Sequence, residues 1–488
     1  MRKKDWIIPT RWLEVADSPA AAAIILFAML TSIGVGSCTS SSTNSPALRP
    51  TRTDSPPGTA TRPAEQREPI LRVRLLSDVR EVVLSGPRSI TIAPDDRPSG
   101  AKSITTPIKV MRLETGWLLR DGSGAPVAFA NPAIGAPPLV LKVAADKSGA
   151  HIRINDAPYP GEFTLRPKSD RPAPPAAPPP AFGTTGAPPS PERVSPVLPF
   201  DLIEHIGIES YLPGVISREL LPNWSLNAFK AQAIAARTYA MHERERSTRN
   251  NEPYDLESSQ LDQVYGGAVD HAVANRATAE TRGLVLMTEG RLLRAYYSST
   301  CGGRPAAAKD VWPTTKGFEF NLDGPIQGTQ GPDTACSFSP RTRWTVTRTR
   351  DELSKRLSAF GRDQGLAVRG LRSITRVEPT TKTAEGRPTN YRIFDADGKW
   401  FALSAEQLRT GCNWIGTSGQ PPVTAQTRVL SGDAEFAVQG ASVIITGRGF
   451  GHGVGLCQYG AEGMSRAGAT AEQIVLHYYP GATLMKAY

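Results

Sequence analysis

Between Glu209 and Ala240 the chain reads ESYLPGVISRELLPNWSLNAFKAQAIAARTYA, and this stretch constrains the fold more than any other. It predicts a short helix, a break at Pro222 and a long alanine-rich helix, because proline cannot continue a helix and alanine favours one. In the second helix Leu226, Phe229, Ala233, Ala236 and Ala240 recur at three- and four-residue spacing, which predicts a core-facing stripe. Lys230 and Arg237 share one face of it, as do Gln232 and Tyr239. The acidic residues of the stretch are Glu209 and Glu219. Glu209 suits the start of its helix, where a negative charge meets the positive end of the dipole. Glu219 stands near the end of the same helix among Val215, Ile216, Leu220 and Leu221. An apolar setting raises a carboxyl pKa and lets the group donate a proton near neutral pH. Glu219 is therefore the candidate proton-handling residue.

A chain of 488 residues has room for two or three domains. Its 43 prolines cluster in two stretches, which reads as tethers or insertions added to an ordinary globular composition. The formal charge of +10 favours anionic partners. No basic block with interleaved aromatics is present, so nucleic acid is not expected as a partner.

At the N-terminus Arg2, Lys3, Lys4 and Arg11 precede an apolar run from Ala20 to Val35, and then Val35-Gly36-Ser37-Cys38. The run is short for a membrane span and suits a signal-peptide core. The four residues at its end resemble a lipoprotein signal with Cys38 as the lipidated residue; the alternative is an uncleaved anchor. Either one puts residues 1–38 at a membrane and the rest of the chain outside the cytoplasm. Residues 39–68 carry no apolar periodicity and predict a disordered spacer. From 69 to 167 short runs alternate with period two (ILRVRLL, SITIAP, TPIKVMRL, EFTLRP), which predicts a β-rich unit. Residues 168–199 are rich in Pro, Ala and Gly and read as a linker or an insertion. Residues 200–488 mix helices and strands. AVDHAVANRATAETRG predicts a helix over 268–283, and a hairpin turning at Glu289-Gly290 follows it. RTRWTVTRT predicts a strand, RDELSKRLSAFG a helix, and Thr470 the start of a helix to about Tyr478. The fold class is α+β.

Cys301, Cys336, Cys412 and Cys457 remain once Cys38 is set aside. An even count in an exported chain favours disulfides, and three pairings are open. Cys301 with Cys336 is preferred, since both fall in the loop-rich middle. None of the cysteines has zinc-ligand spacing, and no metal or cofactor is expected; the rival is a zinc site around His452 and Cys457. In GRGFGHGVGLCQYG the glycines at 447, 449, 451, 453 and 455 alternate strictly. This predicts a strand with side chains on one face, along which a substrate approaches closely, with His452, Gln458 and Tyr459 beside it. The segment is not a phosphate loop, for it lacks the GKS/T ending and a helix expected at once. There is no GxSxG elbow, so Ser298 and Ser299 do not read as the nucleophile of a serine hydrolase.

Taken together, ESYLPGVISREL, LNAFKAQAIAARTYA, SQLDQVYGG, AETRGLVL, AYYSSTCGG, GRGFGHGVGLCQYGAEGM and IVLHYYPG resemble the stage II sporulation protein D / amidase enhancer family (SpoIID/LytB) of peptidoglycan-acting proteins. The likeness runs from about Pro199 to the C-terminus. In that family a YxG-type strand stands just before the ESYL segment, which makes 168–199 an insertion. The resemblance implies a mixed α/β catalytic domain with a central cleft and lytic transglycosylase activity, the family's catalytic Glu falling on Glu219. Arg237, Gln232, Ser298, Ser299, His452, Gln458 and Tyr459 would shape the cleft. One carboxyl suffices for such a reaction, whereas ordinary glycosidases need two. The implied substrate is the glycan strand of peptidoglycan; sporulation-type members act on glycan lacking stem peptides. Other members are amidase modifiers, so the alternative is a non-catalytic wall-binding protein whose partner is an amidase.

Overall fold

The computed structural model describes residues 67–131, 138–168, 197–259, 262–328, 334–416 and 420–488. The expectations for the membrane segment, Cys38 and the spacer lie almost entirely outside these residues. No helix among the described residues is long and apolar enough to cross a membrane. The protein is α+β, with a β-rich N-terminal region.

That region is built on two antiparallel arrays. In the larger, strands Ile70–Val79, Phe200–Gly207, Glu162–Pro167, Leu141–Ala145, Ser89–Pro94 and Lys102–Thr105 lie side by side in that order. The smaller holds Glu81–Ser85, Ile108–Leu113, Gly116–Arg120 and Pro126–Ala130, with two short strands at its edge. Burial alternates along Ser89–Pro94 and Ile108–Leu113, as period-two patterning requires. Ile90, Ile92, Val110, Leu119, Leu165 and Leu202 from both arrays close one core. Glu162–Pro167 pairs directly with Phe200–Gly207, Leu165 opposite Leu202, so the ends of the proline-rich stretch are neighbours in one sheet. Ile70–Val79 pairs with the other edge of Phe200–Gly207, and the N-terminal strands thus share a sheet with the segment that begins at residue 200.

The strand Phe200–Gly207 runs straight into helix α1 (Ile208–Glu219). After the break comes α2 (Leu226–Arg249), then α3 (Ala272–Glu280), α4 (Ala308–Val311), α5 (Arg350–Asp363), α6 (Ala405–Cys412), α7 (Gln458–Arg466) and α8 (Ala471–Tyr478). The expected stripe of α2 is present, but the helix is buried all round from Ala231 to Ala240. Alanines keep it slim, so α1, α3, α7, α8 and the strand Leu284–Thr288 pack on every side. Burying a side chain such as Phe229 or Ile234, each 0–1% exposed, contributes on the order of 1.5–3 kcal/mol.

Other local expectations hold with adjusted ends. The helix over 268–283 begins later, at Ala272, where the His271 ring accepts the Ala274 N–H. The hairpin turns at Glu289-Gly290, both with positive φ. The strand Arg343–Thr349 and α5 form as predicted, and α8 starts on a capping box of Thr470 and Gln473. A third core, with Trp344, Leu357, Tyr391, Trp414 and Ile445, lies in the 344–445 segment.

The glycine-rich segment differs from its expected form. A strand runs only from Ser442 to Arg448. Gly449, Gly451, Gly453 and Gly455 then all take positive φ, from 68° to 100°, so the chain loops instead of extending. Alternating glycines here serve a left-handed backbone, which only glycine adopts freely. At Gly455 a Cβ would stand 2.0 Å from the Tyr296 carbonyl oxygen. The expected absence of a following helix is also corrected, since α7 starts at Gln458. The GKS/T ending is still missing.

Candidate functional site

Glu219 is the last residue of α1. Leu220 turns to an extended conformation (φ −115°, ψ 153°), its N–H still donating to the Ile216 carbonyl, and Pro222 bars any further turn. The Glu219 carboxylate accepts a hydrogen bond from Gln458 Nε2 at 2.9 Å and another from the Val264 backbone N–H. Burial raises its pKa above the ordinary carboxyl value, and these two bonds oppose the rise without cancelling it. Around it lie the phenols of Tyr211 and Tyr297, whose pKa values are pushed up chiefly by burial, with the Glu219 charge adding to the rise.

Gln458 reaches Glu219 from 239 positions away. The short strand Leu456–Cys457 pairs in parallel with Tyr297–Ser298, Ser298 opposite Cys457, which places Gln458 at the first position of α7. Ser298 Oγ accepts the Gly453 N–H at 3.2 Å, and the Ser299 carbonyl accepts the Tyr459 N–H at 3.0 Å. Both serines thus work on the backbone that presents Gln458. The Tyr459 ring meets Trp224 edge-on, centroids 4.9 Å apart. One turn on, Glu462 accepts hydrogen bonds from the backbone N–H and hydroxyl of Ser225, just before α2. Helix α7 therefore clamps the break between α1 and α2 at Glu219, Trp224 and Ser225.

The remaining candidates are placed differently. Arg237 is 0% exposed and its guanidinium makes a two-point ion pair with Glu209, Nε to Oε1 at 2.9 Å and Nη2 to Oε2 at 2.8 Å. It also donates to the carbonyls of Thr278 and Leu284. A buried guanidinium with these partners holds α1, α2 and α3 together, and the expectation that it lines a cleft gives way to that role. Glu209 further accepts the Gly283 N–H and the Tyr488 hydroxyl, the structural part expected of it. Gln232 is 0% exposed within α2, and its amide atoms have no hydrogen-bond partner among the described residues. It reaches no surface, which removes it from any open cleft.

His452 packs against Trp312 (4.8 Å between ring centroids) and Tyr296 (6.0 Å), and its Nδ1 accepts the Val454 N–H at 3.0 Å. Burial lowers its pKa to about 4, so the ring is neutral at pH 7. It is not grouped with the thiol of Cys457, contrary to the rival zinc reading. Cys457 instead sits with Cys301 and Cys336, all three buried; the Cys301 and Cys336 sulfurs are neighbours 3.6 Å apart.

Sequence reasoning missed Val264, Trp224 and Glu462. SQLDQVYGG and AEGM flagged the right segments, but nothing local tells which backbone N–H or carboxylate meets α1.

The arrangement is one half-buried carboxyl at a helix end, held by an amide from the first turn of α7. Residues 199–288 match the model of the SpoIID family, described as stage II sporulation protein, in agreement with the motif resemblance. The chain is 27% identical over 287 residues to an uncharacterized protein of Brachyspira hyodysenteriae, covering 58% of this chain and 68% of that one. It is 27% identical over 308 residues to the amidase enhancer of Bacillus subtilis, covering 56% of this chain but only 40% of the relative. Stage II sporulation protein D of Bacillus subtilis is 25% identical over 299 residues, 58% of this chain and 76% of its own.

Proposed function

We propose that this protein is an exported, membrane-tethered lytic transglycosylase that acts in the cell wall on peptidoglycan glycan strands, with Glu219 as its general acid and base. The observation that carries this reading is the Glu219 carboxyl, half-buried, raised in pKa and held by the neutral Gln458 amide. A neutral partner leaves the carboxyl able to keep its proton, where an arginine would strip it. The protonated Glu219 delivers its proton to the glycosidic oxygen between N-acetylmuramic acid and N-acetylglucosamine. The carboxylate so formed then takes the proton of the muramic 6-hydroxyl, whose oxygen closes the 1,6-anhydro ring at C1. Water takes no part, and the carboxyl ends as it began. The glycan would lie in a cleft at the α1–α7 junction. Residues 200–488 form the catalytic unit in this reading, the 69–167 strands are accessory, and 168–199 is an insertion.

The full-length protein incubated with peptidoglycan, with and without prior amidase treatment, is expected to release anhydromuramyl sugars, and Glu219→Gln to release none. The printed name of the Bacillus subtilis amidase enhancer favours a second reading, a wall-binding modifier of an amidase. Wild type and Glu219→Gln that both bind the wall, release no sugar and equally speed an added amidase would establish it instead.

A further inference from the structure

Three thiols converge just behind Gln458. Cys301 follows the strand Tyr297–Ser298, Cys457 ends its parallel partner, and Cys336 comes from the loop-rich segment that precedes the strand Arg343–Thr349. Cys301 is 2% exposed, Cys336 0% and Cys457 1%, and their sulfurs lie within 4.8 Å of one another. A disulfide needs sulfurs about 2.05 Å apart. The Cys301–Cys336 separation of 3.6 Å is instead close to the edge of a tetrahedron around a metal with metal–sulfur bonds of about 2.3 Å, which is about 3.8 Å.

The surroundings suit sulfur in its anionic form. The Cys457 sulfur accepts the N–H of Cys301 and the N–H of Gly460, each at 3.3 Å, the latter from the first turn of α7. Two peptide donors and the positive end of a nine-residue helix thus face one sulfur. Gly302 and Gly303 take positive φ and turn the chain immediately after Cys301, which frees its thiol to face inward.

We propose that Cys301, Cys336 and Cys457 form a three-thiolate site for a soft divalent cation of the zinc type. On binding, the three thiols release their protons to solvent and three sulfur–metal bonds form, with no change of oxidation state. The resulting group carries one net negative charge, which the N–H donors and the α7 terminus offset. Among the described residues no His, Asp or Glu atom joins the three sulfurs, so water takes the fourth position. The ion would tie three segments. Cys457 adjoins Gln458, and two residues after Cys336 the half-exposed Phe338 ring rests on Tyr459, centroids 5.4 Å apart. A Cβ on Gly463 of α7 would stand 2.0 Å from the Ala335 carbonyl, a second close contact between the Cys336 segment and this helix. The inference stands on sulfur geometry alone and does not require Glu219 to be catalytic.

The test is metal content of the full-length protein, purified without chelators and under a mild reductant, read by elemental mass spectrometry. About one zinc per chain is expected, lost in Cys301→Ser, Cys336→Ser and Cys457→Ser and kept in Cys412→Ala. Cobalt(II) added to chelator-stripped wild type provides a readout that needs no variant: intense thiolate-to-cobalt charge transfer in the near ultraviolet with tetrahedral visible bands. Three results each overturn the proposal: reduced wild type that takes up neither metal, a disulfide between two of the three cysteines in non-reducing peptide maps, or metal content indifferent to all three serine substitutions.

Discussion

Helix α1 carries two carboxylates, and the chain treats them in opposite ways. Glu209, in the first turn, meets the buried Arg237 guanidinium, the Gly283 N–H and the Tyr488 hydroxyl, and these hold its pKa down against the effect of burial. Among the described residues Glu219, in the last turn, meets one side-chain amide and one peptide N–H in its hydrogen bonding, and burial keeps its pKa up. Both groups are partly buried, so burial by itself does not distinguish them. The partner does. A cation commits Glu209 to the charged state and to architecture, whereas a neutral amide leaves Glu219 a proton to give.

The sharpest break of this comparison is Glu219→Gln, which keeps the shape and removes the proton. Release of anhydromuramyl product should fall by about 10²–10⁴-fold, the worth of a general acid–base group, with the melting temperature nearly unchanged. Arg237→Ala should do the reverse. Leaving Glu209 buried without its cation costs about 3–5 kcal/mol in urea unfolding, while product formed per folded molecule stays near wild type.

Glu204 supplies an intermediate case. It is 0% exposed on the strand Phe200–Gly207, and burial raises its pKa to about 7 from 4.5, opposed by the Gly161 N–H and by Tyr265. The folded state therefore binds this proton more tightly than the unfolded state. Its contribution to stability is complete below about pH 4.5 and is lost as pH rises through about 7. Glu204→Gln should thus stabilise the protein at pH 8 relative to wild type, by roughly 3 kcal/mol at most for a shift of this size, and do little at pH 4. Equal effects at both pH values would refute the assignment. The smallest expected effect comes from Gln458→Leu. Removing a bond that favours the charged form moves the Glu219 pKa further up, so the alkaline limb of the activity profile should shift to higher pH, by about one unit or less. A shift to lower pH would show that Gln458 does not act through Glu219.

Much of the local structure was legible. Pro222 and the alanine run marked the α1–α2 junction, Glu289-Gly290 marked the hairpin, and Thr470 with Gln473 marked the start of α8, since each signal lies within a few residues of its effect. The site was legible only in part. Glu219 announced itself through apolar neighbours, but Arg237 and Gln232, read as cleft residues, are interior to a helix packed on every side. Their burial depends on α3, α7 and α8, which helical periodicity within α2 does not describe. The glycine alternation at 447–455 was equally ambiguous, because spacing two suits a strand, while a positive φ at every second residue makes a loop.

What the sequence by itself determined is the set of elements and the one carboxyl at a helix end, for propensity, capping and patterning act over single turns. Only the tertiary structure decided which partner each acid received, Arg237 for Glu209 and Gln458 for Glu219, and that Cys301, Cys336 and Cys457 meet behind the latter. Those pairings join positions 28, 239 and 156 apart along the chain. They arise from strand register and helix packing around shared cores, and no short-range preference encodes them.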